Sequence, residues 1–197
     1  MNLPNKLSLF RILLVPIAVL VYLFPYGTFG IEVIEFEVGF VSLSIVDLAV
    51  LLIFATASFT DFLDGYIARK YELITSLGKF LDPIADKLLV NTMFILFAVK
   101  GVVPAVPIII MVARDTIVDG LRMNASAKGK VVAAGYLGKV KTVLQMVTII
   151  FVLLNNLPFE LMHLPVTTFL LWLATIVSVL SGYSYFMQLK DIVLESK

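Results

Sequence analysis

Six long apolar stretches alternate with short clusters of glycine, proline, asparagine and charge. By residue they run about Leu7–Phe24, Leu43–Ala68, Gly78–Val99, Ala105–Met123, Gly138–Leu154 and Val166–Leu189. Each approaches or exceeds the ~20 residues that a helix needs to cross a bilayer. The apolar positions are continuous along each stretch, unlike the alternating ~10-residue segments of a membrane β-barrel. The pattern therefore predicts an all-α integral membrane protein with six transmembrane helices in a single domain, 1–197. Pro16 falls inside the first stretch, where membrane helices tolerate it. Residues 1–11 form a polar-apolar lead-in, expected as a short interfacial segment. Residues 25–42 hold Pro25, Gly27, Gly30 and Gly39 with three glutamates and no basic residue, and predict a loop or hairpin.

Composition supports this reading. The chain is 60% hydrophobic and 15% charged, with mean hydropathy +1.04. Soluble domains use nearer ~45–50% apolar residues. With no cysteine there is neither a disulfide nor a thiolate ligand, and one histidine, His163, excludes a multi-histidine metal site within one chain. A net charge of +1 says nothing about nucleic acid, and none is expected as a partner. The N-terminal apolar run lacks a clear small-residue cleavage site, so a cleaved signal is not expected.

Lysine and arginine set the expected orientation. With the N-terminus in the cytoplasm, thirteen of the fifteen basic residues fall on the cytoplasmic side; Lys100 lies opposite and Lys87 lies inside the third span. Both termini are thus expected in the cytoplasm, in a multi-pass protein of the cell membrane. Arg11 reads as a positive-inside anchor.

Charge within the apolar pattern is concentrated between Asp61 and Asp86. Asp61 and Asp64 are three residues apart, and Asp82 and Asp86 four. On a helix either spacing puts both carboxylates on one face. Four such acids near one another repel in a low-dielectric setting, so protons or cations must compensate. Hard divalent cations such as Mg2+ or Mn2+ favour an all-oxygen environment. Acids at a helix end can also be solvated and paired with Arg69, Lys70, Lys79 and Lys87, or can line a cation path in a transporter. Four acids in matched pairs at one membrane face favour a metal site handling phosphate esters. Gly65, Ala68 and Gly78 leave space beside the carboxylates, or serve close helix packing. Arg69 has the geometry to meet a diphosphate.

The spacing Asp61-x-x-Asp64-Gly65-x-x-Ala68-Arg69, then eight residues, then Gly78-x-x-x-Asp82-x-x-x-Asp86 resembles the signature of the CDP-alcohol phosphotransferase family at all eight fixed positions. The resemblance implies six transmembrane helices, a homodimer among membrane lipids, and a divalent-metal site, with two ions per subunit, opening to the cytoplasm. It implies Asp61, Asp64 and Asp82 as metal ligands and Asp86 as a ligand, the general base, or both. Gly65, Ala68 and Gly78 would flank the nucleotide of the CDP-linked lipid, and Arg69 would support its diphosphate. Asn5-x-x-Ser8-x-x-Arg11 resembles the family's Asn-x-x-Thr-x-x-Arg lead-in, with serine keeping the hydroxyl; Asn5 and Ser8 either contact the CDP-lipid or cap the first helix.

A second basic cluster bears on the acceptor. Arg114 and Arg122 are eight apart, hence near one helix face, and Lys139 and Lys141 open the fifth span. Such a cluster suits an anionic group, or equally lipid head groups. Ala113-Arg114-Asp115, Leu121-Arg122 and Gly138-Lys139-x-Lys141-Thr142 with Gln145 resemble the branch that uses sn-glycerol 3-phosphate. That likeness implies transfer of the phosphatidyl group of CDP-diacylglycerol to sn-glycerol 3-phosphate, giving phosphatidylglycerophosphate and CMP. Arg114 and Lys139, with Arg122 and Lys141, would bind the acceptor phosphate. Asp115 reads as a charge partner of Arg114. Other family acceptors are inositol phosphate, serine or a second phospholipid. His163 is expected to be structural, and Asp47 has no assigned role.

Overall fold

A computed structural model describes residues 2–73, 75–129 and 135–193. Among the described residues six α-helices dominate: α1 (Leu3–Leu23), α2 (Ile45–Lys70), α3 (Ser76–Val99), α4 (Ala105–Ala127), α5 (Tyr136–Leu153) and α6 (Val166–Val193). Their bounds follow the apolar stretches to within a few residues, except at the N-terminus. There α1 starts at Leu3 and runs without a break, so the lead-in is the first turns of the same helix and not a separate interfacial segment. Asn2 is its cap, accepting a hydrogen bond from Asn5 N at 3.1 Å. Capping is thus done by neither Asn5 nor Ser8. Lys130 and Lys197, counted among the cytoplasmic charges, lie outside the described residues.

Among the described residues four helices are long and apolar enough to cross a membrane: α1, α2, α5 and Val166–Lys190 of α6. The other two long helices carry more charge, with Lys79, Asp82, Asp86 and Lys87 on α3 and Arg114, Asp115, Asp119 and Arg122 on α4. Large apolar side chains such as Leu20, Leu52, Phe59, Ile109, Val143 and Phe169 point outward. So much exposed apolar surface suits lipid and not water.

Helix α1 packs along α2 and α3, and α6 packs along α4 and α5, with α3 and α4 joining the two groups. Between them lies a core of Phe54, Met93, Phe94, Phe97, Met111, Ile149 and Leu171. Small residues Ala57 and Ala174, both fully buried, let helices approach closely there.

The two ends of the bundle differ. One end holds the C-terminal turns of α2, α4 and α6 with the N-terminal turns of α1, α3 and α5. The other end carries the 25–42 segment, which forms a hairpin of β1 (Glu35–Val38) and β2 (Val41–Ser44), with Phe36 opposite Leu43. Gly39 (φ +67°) opens its two-residue turn, where a side chain is disfavoured. Asn155 Nδ2 donates to Ser42 O at 2.6 Å, and His163 stacks on Phe40 with ring centres 5.1 Å apart. His163 is therefore part of the packing of this end. A cavity of about 580 Å³ lies here, lined by Val102, Pro104, Asn155, Asn156, Glu160 and Thr167 among others. Its carboxylate, Glu160, accepts from Asn156 Nδ2 at 2.7 Å. Without an acid cluster it is no candidate for phosphate chemistry.

Candidate functional site

The four aspartates meet at the opposite end. Asp61 and Asp64 sit near the end of α2, and Asp82 and Asp86 in the first turns of α3. The link between these helices is short, and Thr75 starts α3 by accepting a hydrogen bond from Gly78 N at 3.0 Å. That cap fixes the α3 entry, so the face carrying Asp82 and Asp86 turns toward α2.

Helix α1 completes the cluster. Its face carrying Asn5, Ser8 and Arg11 is buried against α2 and α3. Ser8 Oγ donates to Asp82 Oδ1 at 2.6 Å, and Asn5 Oδ1 accepts from Thr75 Oγ1 at 2.9 Å. Arg11, 0% exposed, ion-pairs with Asp61 at 2.8 Å and also with Asp64 and Asp86. This corrects the expectation that Arg11 is a membrane-edge anchor. Its burial is tolerated because these three carboxylates, Asp64 sealed and the other two part-exposed, surround its charge. The sequence signal for it was the common spacing of Asn5, Ser8 and Arg11 along one helix flank.

The donor set consists of carboxylate oxygens, which matches a hard divalent cation. Three of the carboxylates already close around one positive charge, that of the guanidinium. Among the described residues no three acidic or histidine side chains form a metal cage by themselves, and the Arg11 guanidinium stands between Asp61, Asp64 and Asp86. The acids differ in access. Asp64 is 3% exposed, whereas Asp61 is 34% and Asp86 40% exposed.

Beside the cluster is a cavity of about 180 Å³, lined by Asn5, Gly65, Ala68, Arg69, Gly78 and Asp82 with Pro4, Leu73 and Thr75. The fold thus brings together five residues that the sequence pattern linked to a CDP-lipid. A Cβ at Gly78 would stand 2.9 Å from Asn5 Oδ1 and 3.3 Å from Thr75 Oγ1, so a side chain there would push Asn5 away from its bond to Thr75. At Gly65 a Cβ would meet the Arg69 guanidinium at 3.5 Å, an ordinary contact. Arg69 folds back over Gly65, its exposed side chain forming one wall.

The second basic cluster divides in two. Arg114 and Lys141 are both held by buried Asp115: Arg114 Nη1 at 2.8 Å, and Lys141 Nζ at 2.5 and 2.7 Å from its two oxygens. Arg114 Nη2 also donates to Ser181 Oγ at 2.6 Å, and the guanidinium lies 5.7 Å from the Tyr185 ring centre. Buried Arg114 Nε has no hydrogen-bond partner. Lys139 and Arg122 are exposed and outside this knot. Lys87, next to Asp86, pairs with Asp119, one turn beyond Asp115, and so ties the acid end of α3 to α4. Ser181 and Tyr185 carry no sequence signal of their own, because their relation to Arg114 depends on α6 packing on α4.

Known proteins resemble this chain over most of its length. The sequence profile described as CDP-alcohol phosphatidyltransferase matches residues 1–180. The chain is 44% identical over 185 residues to a CDP-diacylglycerol–glycerol-3-phosphate 3-phosphatidyltransferase of Bacillus subtilis, covering 94% of this chain and 93% of that protein. A protein of the same name from Rickettsia felis is 36% identical over 190 residues, covering 96% of each. One from Escherichia coli is 35% identical over 158 residues, covering 77% of this chain and 76% of that protein. With the whole aspartate cluster and its flanking glycines inside the matched region, this chain belongs to the CDP-alcohol phosphatidyltransferase family.

Proposed function

We propose that this chain transfers the phosphatidyl group of CDP-diacylglycerol to sn-glycerol 3-phosphate, giving phosphatidylglycerophosphate and CMP. The observation that carries the reading is the convergence of Asp61, Asp64, Asp82 and Asp86 beside the cavity of Asn5, Gly65, Ala68, Arg69 and Gly78, in a chain whose relatives bear that activity in their names. The chain works as one domain and as a homodimer in the cell membrane. All six helices span the bilayer, with both termini and the aspartates at the cytoplasmic face. Charges run from Lys79 to Lys87 on α3 and from mid-helix Arg114 to Arg122 on α4, which leaves residues 88–99 and 105–113 without charge.

Asp61, Asp64, Asp82 and Asp86 would hold divalent cations, Mg2+ or Mn2+, two per subunit. Bound there, such cations supply charge neutralisation on the diphosphate and stabilise the reacting phosphoryl oxygens. The cavity holds part of the CDP-lipid, since ~300 Å³ is the low end for a whole ligand. Gly65, Ala68 and Gly78 let the nucleotide approach the backbone, Asn5 borders it, Ser8 holds Asp82 at the cavity wall, and Arg69 meets the diphosphate. Arg114 and Lys139, with Lys141 and Arg122, hold the phosphate of glycerol 3-phosphate, with the Arg114 guanidinium oriented by Asp115 and Ser181. Asp86 takes the proton of the acceptor's primary hydroxyl. Arg11 engages its Oδ1, and its partial exposure lets a soluble acceptor reach it. The hydroxyl oxygen then bonds to the lipid-side phosphorus, and the bond from that phosphorus to the CMP oxygen breaks. Holding two anions in register contributes through orientation.

The test is CMP release by purified protein in detergent with CDP-diacylglycerol, Mg2+ or Mn2+, and a panel of acceptors. Release with glycerol 3-phosphate alone, lost on chelation, is the expected result. Release with a different acceptor would keep the aspartate site and overturn the acceptor assignment.

A further inference from the structure

We propose that Arg11 is a resident counter-cation of the aspartate cluster, competing with divalent cations for the same carboxylates. The proposal rests on the reading of these aspartates as metal ligands. It starts from a placement that membrane anchoring does not explain. An anchoring arginine extends its head to the water at the membrane edge. Arg11 does the opposite, since its side chain is 0% exposed and ends among Asp61, Asp64 and Asp86. Nη1 reaches Asp61 and Asp86, and Nη2 reaches Asp64. Nε, also buried, has no hydrogen-bond partner. Charge therefore sets the position of the guanidinium more than complete hydrogen bonding does.

The consequences follow from charge. Three carboxyl groups face one guanidinium, so the acids outnumber the cation at the cluster, with Asp82 tied to Ser8 one turn earlier on α1. The guanidinium occupies one oxygen of each of the three acids: Asp61 Oδ1, Asp64 Oδ2 and Asp86 Oδ1. A divalent cation binding there meets both fewer free oxygens and a like charge at close range. A unit charge at such range changes affinity for a second cation by about tenfold or more. Arg11 thus keeps the acids converged while weakening their hold on metal, so the ions can exchange.

The measurement is Mn2+ binding by calorimetry to the full chain in detergent, at fixed ionic strength, for wild type, Arg11→Gln and Arg11→Lys. The thermal midpoint of each is recorded with chelator and with saturating Mn2+. Arg11→Gln is expected to bind Mn2+ at least about tenfold tighter than wild type. It should have a lower midpoint in chelator and a larger rise on adding Mn2+. Arg11→Lys, whose ammonium lacks the fork to join three acids, should lie between the two. Equal or weaker Mn2+ binding by Arg11→Gln overturns the proposal and leaves the metal assignment standing. If Arg11→Gln does not fold, the same criterion applies to Arg11→Lys against wild type. Absence of Mn2+ binding in every folded form, wild type included, rejects the metal site and this inference with it.

Discussion

Asp86 and Asp64 are the same residue type, a few ångströms from the same guanidinium, yet their surroundings separate their roles. Asp64 is sealed at 3% exposure, so it can hold a cation but cannot meet a soluble acceptor. Asp86 is 40% exposed and keeps one oxygen clear of Arg11. Replacing it by asparagine preserves shape and removes the proton acceptor. Asp86→Asn should lower turnover by roughly 10²–10⁴-fold, the usual scale for a general base, while CDP-lipid binding remains largely intact. The two are read separately, as CMP release and as retention of labelled CDP-lipid. Loss of binding without a specific loss of turnover would reject the base role and leave Asp86 a ligand.

Helices α4 and α6 show how an element positions a side chain it does not carry. Arg114 belongs to α4, but its guanidinium is directed by Ser181 and Tyr185 on α6. Gly182 makes this contact possible, because a Cβ there would stand 2.9 Å from Arg114 Cγ and 3.4 Å from Nε. Alanine in a helix is favoured over glycine by about 1 kcal/mol, so Gly182→Ala should leave the fold intact and displace the arginine. With Arg114 in the acceptor pocket, KM for glycerol 3-phosphate should rise roughly tenfold, since small misplacements of a binding group are costly. KM for CDP-diacylglycerol should not change. Initial rates with each substrate varied in turn separate the two, and a rise for the CDP-lipid instead would move Arg114 out of the acceptor site.

For the whole molecule, the two ends of the bundle are unequal in charge. The acids and most basic residues share one end, while the other has the acidic hairpin and Lys100. The proposed topology puts the first end in the cytoplasm, as the positive-inside bias expects. The chain has no cysteine, so single cysteines can report sidedness without a background. Val102, exposed between α3 and α4, and Ser126, exposed near the end of α4, lie at opposite ends. In intact cells a membrane-impermeant maleimide should label Val102→Cys, and should label Ser126→Cys only after permeabilisation. The reverse pattern would invert the topology and put the aspartates outside.

The six helices and the two aspartate pairs were legible in the sequence by itself, because both depend on local spacing. Continuous apolar runs report helices whose outer faces meet lipid, and separations of three and four residues report a shared helix face. The Gly65, Ala68 and Gly78 positions were legible for the same reason, as fixed offsets from the acids. Contacts between helices were decided only in the tertiary structure. Asn5 meets Thr75 across 70 positions, Arg11 meets Asp86 across 75, and Arg114 meets Ser181 across 67. No local pattern encodes which helix will lie against which. A single arginine in an apolar helix reads the same whether it faces the membrane edge or a cluster of acids. Burial settles the difference, since a charge removed from water is tolerated only where packing brings opposite charge to it.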